Sequence, residues 1–102
     1  MDSAEFDWTV PIDHPAFAGH FPTRPIVPGV VLLDQALLFA ALWQGAASTQ
    51  GWQVAQAKFF VPVGPGAKLR YTLQATARGG IGFRVGCDGR EVASGSLMPP
   101  AA

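Results

Sequence analysis

Cysteine is nearly absent. Cys87 stands alone among 102 residues, so no internal disulfide forms and a reducing compartment, the cytoplasm, is expected. Histidine is as scarce: His14 and His20 are the only two, and no Cys/His cluster has metal-ligand spacing, which excludes a structural zinc. Charge is low as well, with Asp, Glu, Lys and Arg at 14% of the chain against about 25% in ordinary globular proteins. Seven basic residues balance seven acidic ones without a basic cluster, which argues against nucleic acid or anionic lipid as the main partner. The most apolar stretch, Val30–Trp43, has 14 residues and contains Asp34, short of the ~20 that a bilayer span needs. The start, Met1-Asp2-Ser3-Ala4-Glu5, lacks the basic-then-apolar order of an export signal. What remains is one domain over 1–102, large enough for a core without staples. So few charges leave surface that water does not favour, and a partner subunit covering it is expected.

Phe6, Trp8, Val10 and Ile12 alternate with polar residues or Pro11, the period of a strand with one buried face. Asp13 to Pro28 holds Pro15, Gly19, Pro22, Pro25 and Pro28 and reads as a long ordered loop, which is usually functional. Pro28-Gly29 opens a helix expected to run to about Ala47. Its apolar residues surround nearly the whole circumference, so the fold should enclose it. After Gly51 the chain reads as four meandering strands: Trp52–Val61, a turn over Pro62–Gly66, a run from Leu69 to Ala77, Ile81–Cys87, and Glu91–Leu97. Gly79-Gly80 and Asp88-Gly89 mark hairpins. One strand, one buried helix and four strands make an α+β domain, an antiparallel sheet of about five strands wrapped around one long central helix.

Asp34 is the residue out of place. Its helical neighbours are Val30, Val31, Leu37 and Leu38, and a carboxylate buried among them loses hydration, which favours its protonated form. Either backbone N–H groups or a gap to solvent satisfy it, or it has a chemical purpose. A histidine is the natural complement for proton transfer near neutral pH. His14 lies in Asp13-His14-Pro15, where an Asx turn accounts for it; Tyr71 and Cys87 read as packing residues. His20 has a more telling setting, Gly19-His20-Phe21-Pro22-Thr23-Arg24-Pro25-Ile26-Val27-Pro28-Gly29-Val30.

That segment resembles the GHFPxxPxxPGV signature of the hotdog-fold 3-hydroxyacyl-[acyl-carrier-protein] dehydratases, in which an acid follows the histidine by fourteen positions, as Asp34 follows His20. Ala57-Lys58-Phe59-Phe60-Val61-Pro62-Val63-Gly64-Pro65-Gly66 is similar to the family's AKFRRPVxPGD stretch, and Asp88–Ala93 fits its last hairpin. The likeness covers residues 6–97. Three departures stand out: Thr23 replaces the motif glycine, the helix acid is Asp34 where glutamate is commoner, and the N-terminal helical segment usual in the family does not precede the first strand. The run from Gly19 to Asp34 is especially like the compact dehydratases of aryl-polyene and related polyketide pathways.

The resemblance implies a lyase that needs no cofactor. It implies that His20 takes the C2 proton, that Asp34 protonates the departing C3 hydroxyl, and that the N–H of Gly29, in the first turn of the helix, receives charge on the thioester oxygen. The carbonyl of Ile26 would orient the imidazole. The site would be composite, with His20 of one chain meeting Asp34 of its mate in a homodimer or a heterodimer with another hotdog subunit. Phe21, Ile26, Leu33, Leu37, Phe39, Phe59 and Phe60 are candidate liners of an acyl tunnel. The acyl carrier protein, being acidic, would meet basic residues, Arg24 and Lys58 first, with Lys68, Arg70 and Arg84 also possible. Two other readings stay open: a hotdog acyl-CoA thioesterase, and a non-catalytic hotdog subunit paired with an active one.

Overall fold

The computed structural model describes residues 3–13 and 26–100, and in these the elements run β1 (Ser3–Thr9), α1 (Gly29–Trp43), β2 (Gln53–Phe59), β3 (Lys68–Ala75), β4 (Ile81–Cys87) and β5 (Arg90–Met98). All five strands form one antiparallel sheet in the order β1-β3-β4-β5-β2. This corrects the expected four-strand meander. Only β3, β4 and β5 follow one another as hairpins, while β2 pairs with β5 at the far edge. The reason lies in the β2–β3 connection. Pro62 and Pro65 donate no backbone hydrogen bonds, and the segment is held by other partners: Phe60 N–H to the Val92 carbonyl, Val27 N–H to Val63, and Gly66 N–H to Val10. It crosses the end of the sheet without folding back as a hairpin.

The two glycine turns form as their sequences demand. Asp88 and Gly89 both have positive φ, 53° and 78°, the backbone of a type I′ turn whose twist suits a two-residue hairpin. Between β3 and β4, the Thr76 hydroxyl accepts from the Gly80 N–H while the Thr76 N–H donates to the Gly80 carbonyl. β1 ends at Thr9, earlier than the alternation reaching Ile12 suggested: Val10 is buried and hydrogen-bonded to Ala67, but Ile12 is exposed.

The helix is shorter than expected, ending at Trp43 and not near Ala47. Its stop is Gly45, at φ +73°, where the Ala46 N–H reaches the Ala41 carbonyl and the Gly45 N–H reaches Leu42. This pair of bonds is the Schellman arrangement, which satisfies the last helical carbonyls. Pro28 caps the other end in extended conformation without a side-chain hydrogen bond.

Leu69, Tyr71, Leu73, Phe83, Val85, Val92 and Leu97 point to one sheet face and pack with Leu32, Ala36 and Ala40 of the helix. Small residues at 36 and 40 let the helix approach the sheet closely. At the centre, the Tyr71 hydroxyl donates a 3.0 Å hydrogen bond to the Leu32 carbonyl. The Phe39 ring stands edge-on to Tyr71, centroids 5.3 Å apart, and stacks on Phe6 at 4.6 Å. The helix is not enclosed, however. Val30, Leu38 and Leu42 remain 62%, 54% and 66% exposed, a correction to the sequence-based expectation. One layer of sheet covers one side of the helix, and no second layer among the described residues covers the other.

Candidate functional site

The open helix face repeats every four residues: Val30, Asp34, Leu38, Leu42. Residues four apart lie one above another on a helix, so Asp34 is the one charged group in an otherwise apolar row. It is exposed in the single chain, not buried as its sequence neighbours suggested. The neighbours at positions 31 and 37 turn toward the sheet and pack on the core, leaving the carboxylate on the side the sheet does not reach.

Gly29 begins the helix, and as its first residue it has an N–H with no intrahelical acceptor. The helix dipole places partial positive charge at the same end. Gly29 is also tightly packed: a Cβ there would come within 2.8 Å of Cζ of Phe59. The ring of Phe59, half exposed on the edge strand, thus lies against the start of the helix and joins the open helix face to the apolar edge formed by Phe59, Phe60 and Val54. Ile26, just before the helix, is exposed at this end too.

The remaining sequence candidates divide by face. Leu33 and Leu37 are half buried and pack against the core. Lys58 points the other way: opposite Ser94, it lines a groove of about 650 Å³ on the outer sheet face with Thr72 and Arg84. Lys68, Arg70 and Arg84 line an adjoining groove of about 640 Å³ on that same face. There the Arg70 guanidinium is hydrogen-bonded to Asp7 at 2.9 Å and holds that carboxyl below its usual range. These cations therefore lie on the face opposite the helix that carries Asp34. His20, Phe21, Arg24 and His14 lie outside the described residues. Tyr71, taken from sequence as packing alone, has the one buried side-chain hydrogen bond recorded among the described residues. Its strand alternation gave its burial but not its partner.

A family model described as "ApeI-like: ApeI dehydratase" matches residues 1–96. The chain belongs to the ApeI-like dehydratase family. Among curated relatives it is 35% identical over 97 residues to the 3-hydroxyacyl-[acyl-carrier-protein] dehydratase FabZ of Helicobacter acinonychis, covering 79% of this chain and 61% of that protein. The FabZ of Nitratiruptor sp. is 33% identical over 105 residues, with coverages of 90% and 69%. The chain thus spans about three fifths of the length of the Helicobacter relative. Among solved structures, the dehydratase heterocomplex ApeI:P from Xenorhabdus doucetiae superposes with a TM-score of 0.79 at 23% identity, over 98% of this chain and 88% of that one. The dehydratase domain of the polyketide protein PpsC from Mycobacterium tuberculosis gives 0.77 at 17% identity, over 98% and 40%. These likenesses establish the hotdog fold for this member of the ApeI-like family. No helix among its described residues is long and apolar enough to cross a membrane.

Proposed function

We propose that this chain dehydrates a 3-hydroxyacyl thioester carried on acyl carrier protein, giving the trans-2-enoyl thioester, in fatty-acid or aryl-polyene/polyketide-type biosynthesis in the cytoplasm. The observation that carries the reading is Asp34: a solitary carboxyl in the open apolar row of a helix, fourteen residues after His20, in a chain of a dehydratase family. Covering that row with a second hotdog chain closes an apolar crevice around the carboxyl and keeps bulk water from it.

In the reaction, His20 removes the C2 proton and the C2–H electron pair forms the double bond to C3. The C3–O bond breaks, and Asp34 of the other chain supplies the proton with which the hydroxyl departs as water. Negative charge on the thioester oxygen meets the Gly29 N–H at the positive end of the helix. Proton exchange with solvent then restores both side chains. The acyl chain runs along Ile26, Leu33, Leu37, Phe59 and Phe60, joined by Phe21 of the His20 motif, and the carrier protein docks at Arg24; Lys58, on the outer sheet face away from Asp34, is set aside for that role. β2, an edge strand among the described residues, is offered to the second chain's own β2, and the row of Val30, Leu38 and Leu42 supplies apolar area. A related but different second chain is the alternative partner, since the Xenorhabdus structure is described as a heterocomplex.

The test is the ultraviolet absorbance of the enoyl thioester formed from 3-hydroxyacyl carrier-protein substrates, with light scattering for mass. His20→Ala and Asp34→Asn should each lower turnover by about 10²- to 10⁴-fold, the usual contribution of a proton-transfer group, and remain dimeric. Release of free acid and thiol would identify a thioesterase. Unchanged turnover in both variants would sink the reading.

A further inference from the structure

We infer that Tyr71 is a positioning residue for the site: from β3 it fixes the rotation of the helix about its axis and so decides where Asp34 points. This rests on the dehydratase reading for its catalytic consequence but not for its geometry. The helix needs such a device. It is apolar around most of its circumference, so hydrophobic burial alone distinguishes one rotation from another weakly. It has no side-chain cap at Pro28, no acidic residue in its first turn and no basic residue in its last. Hydrogen bonds are directional where apolar contacts are not.

Tyr71 grips the helix at two points. Its hydroxyl donates to the Leu32 carbonyl at 3.0 Å, and its ring meets the edge of Phe39, centroids 5.3 Å apart. At about 100° per residue, Leu32 and Phe39 lie within about 20° of each other around the axis, two turns apart. Asp34 lies about 160° from Leu32, nearly diametrically opposite. Fixing the Leu32–Phe39 line against the sheet therefore aims Asp34 directly away from it, toward whatever covers the open face. A slip of one residue would turn it by about 100°, off the open row. Tyr71 is fully buried, and burial pushes its phenol pKa far up, so the proton it donates is retained at every working pH. The hydroxyl never reaches the open face, so Tyr71 acts through the helix and not on substrate.

Tyr71→Phe keeps the ring and removes only the donor. The expected result is a fall of about tenfold in kcat with KM within twofold and dimer mass intact. In parallel, the NMR chemical shift of the Asp34 carboxyl carbon, read at one neutral pH, should be displaced from the wild-type position. Ile81→Val, a core change elsewhere in the sheet, serves as the control, brought by temperature to the same margin below its Tm; it should keep both kcat and the Asp34 chemical shift. If Tyr71→Phe does not fold, Phe39→Leu removes the second grip and should displace the same two readouts. The inference is overturned if Tyr71→Phe keeps wild-type kcat and chemical shift, or if Ile81→Val loses as much. A wild-type protein that makes no enoyl thioester would end the dehydratase reading and leave the NMR comparison to decide Tyr71.

Discussion

Gly29→Ala separates two reasons for a glycine at the head of the helix. The added methyl would sit 2.8 Å from Cζ of Phe59 and 3.1 Å from each Cε. Carbon contacts prefer about 3.5 Å or more, so the ring must retreat by roughly 0.7 Å. Phe59 is half exposed on an edge strand, so its ring can shift toward solvent at small cost. Against it, alanine is favoured over glycine in a helix by up to about 1 kcal/mol. The net change is at most about 1 kcal/mol, so Tm should change by no more than about 4–8 °C, the span of 1 kcal/mol in a domain of this size. Catalysis should respond far more. A methyl between the Gly29 N–H and an approaching thioester oxygen removes that donor, at a cost of about 10²- to 10³-fold in kcat. The assay is enoyl thioester formation at saturating substrate, compared across Gly29→Ala, Phe59→Leu and the double variant. If Phe59→Leu restores turnover to Gly29→Ala, the glycine exists to admit the ring, and the amide's role in charge stabilisation is refuted.

Two further outcomes follow from the open face and the outer sheet. Leu38 is 54% exposed; covering the rest of it stabilises by about 1 kcal/mol per copy, or about 2 kcal/mol across the proposed twofold interface, so Leu38→Asp should weaken the proposed dimer by at least about 30-fold. Dilution with light scattering reads this directly, and an unchanged dissociation constant would mean that another surface joins the chains. The Asp7–Arg70 pair is exposed at both ends, so Asp7→Asn should leave Tm unchanged at neutral pH. Its hydrogen bond to Arg70 lowers the Asp7 pKa in the folded state, so whatever stability the pair adds is present above the unfolded carboxyl's pKa. That stability disappears as pH falls through the lowered folded value. A neutral-pH loss of several degrees would show that the pair is not screened as its exposure implies.

Local chemistry was legible wherever a residue's role depends on its chain neighbours. Asp88-Gly89 specified a tight hairpin because positive φ at two successive positions suits few other pairs, and the alternation through Leu69, Tyr71 and Leu73 specified which face of β3 is buried. Gly45 carries an equally local signal: a left-handed glycine ends the helix at Trp43, four residues before the expected Ala47. The sheet order was not legible. Strand pairing between β2 and β5 joins residues some forty positions apart, and nothing in either strand names its partner.

Asp34 marks the division most clearly. The sequence by itself determined that a carboxyl stands among apolar helix residues at a fixed spacing from His20, and that the chain belongs with proteins sharing this pattern. Only the tertiary structure decided that the carboxyl points away from its own sheet, because the side of a nearly all-apolar helix that becomes buried depends on long-range contacts. The small residues Ala36 and Ala40 and the Tyr71 hydroxyl select that side, and Tyr71 reaches the helix at Leu32 from a strand 39 residues further along the chain.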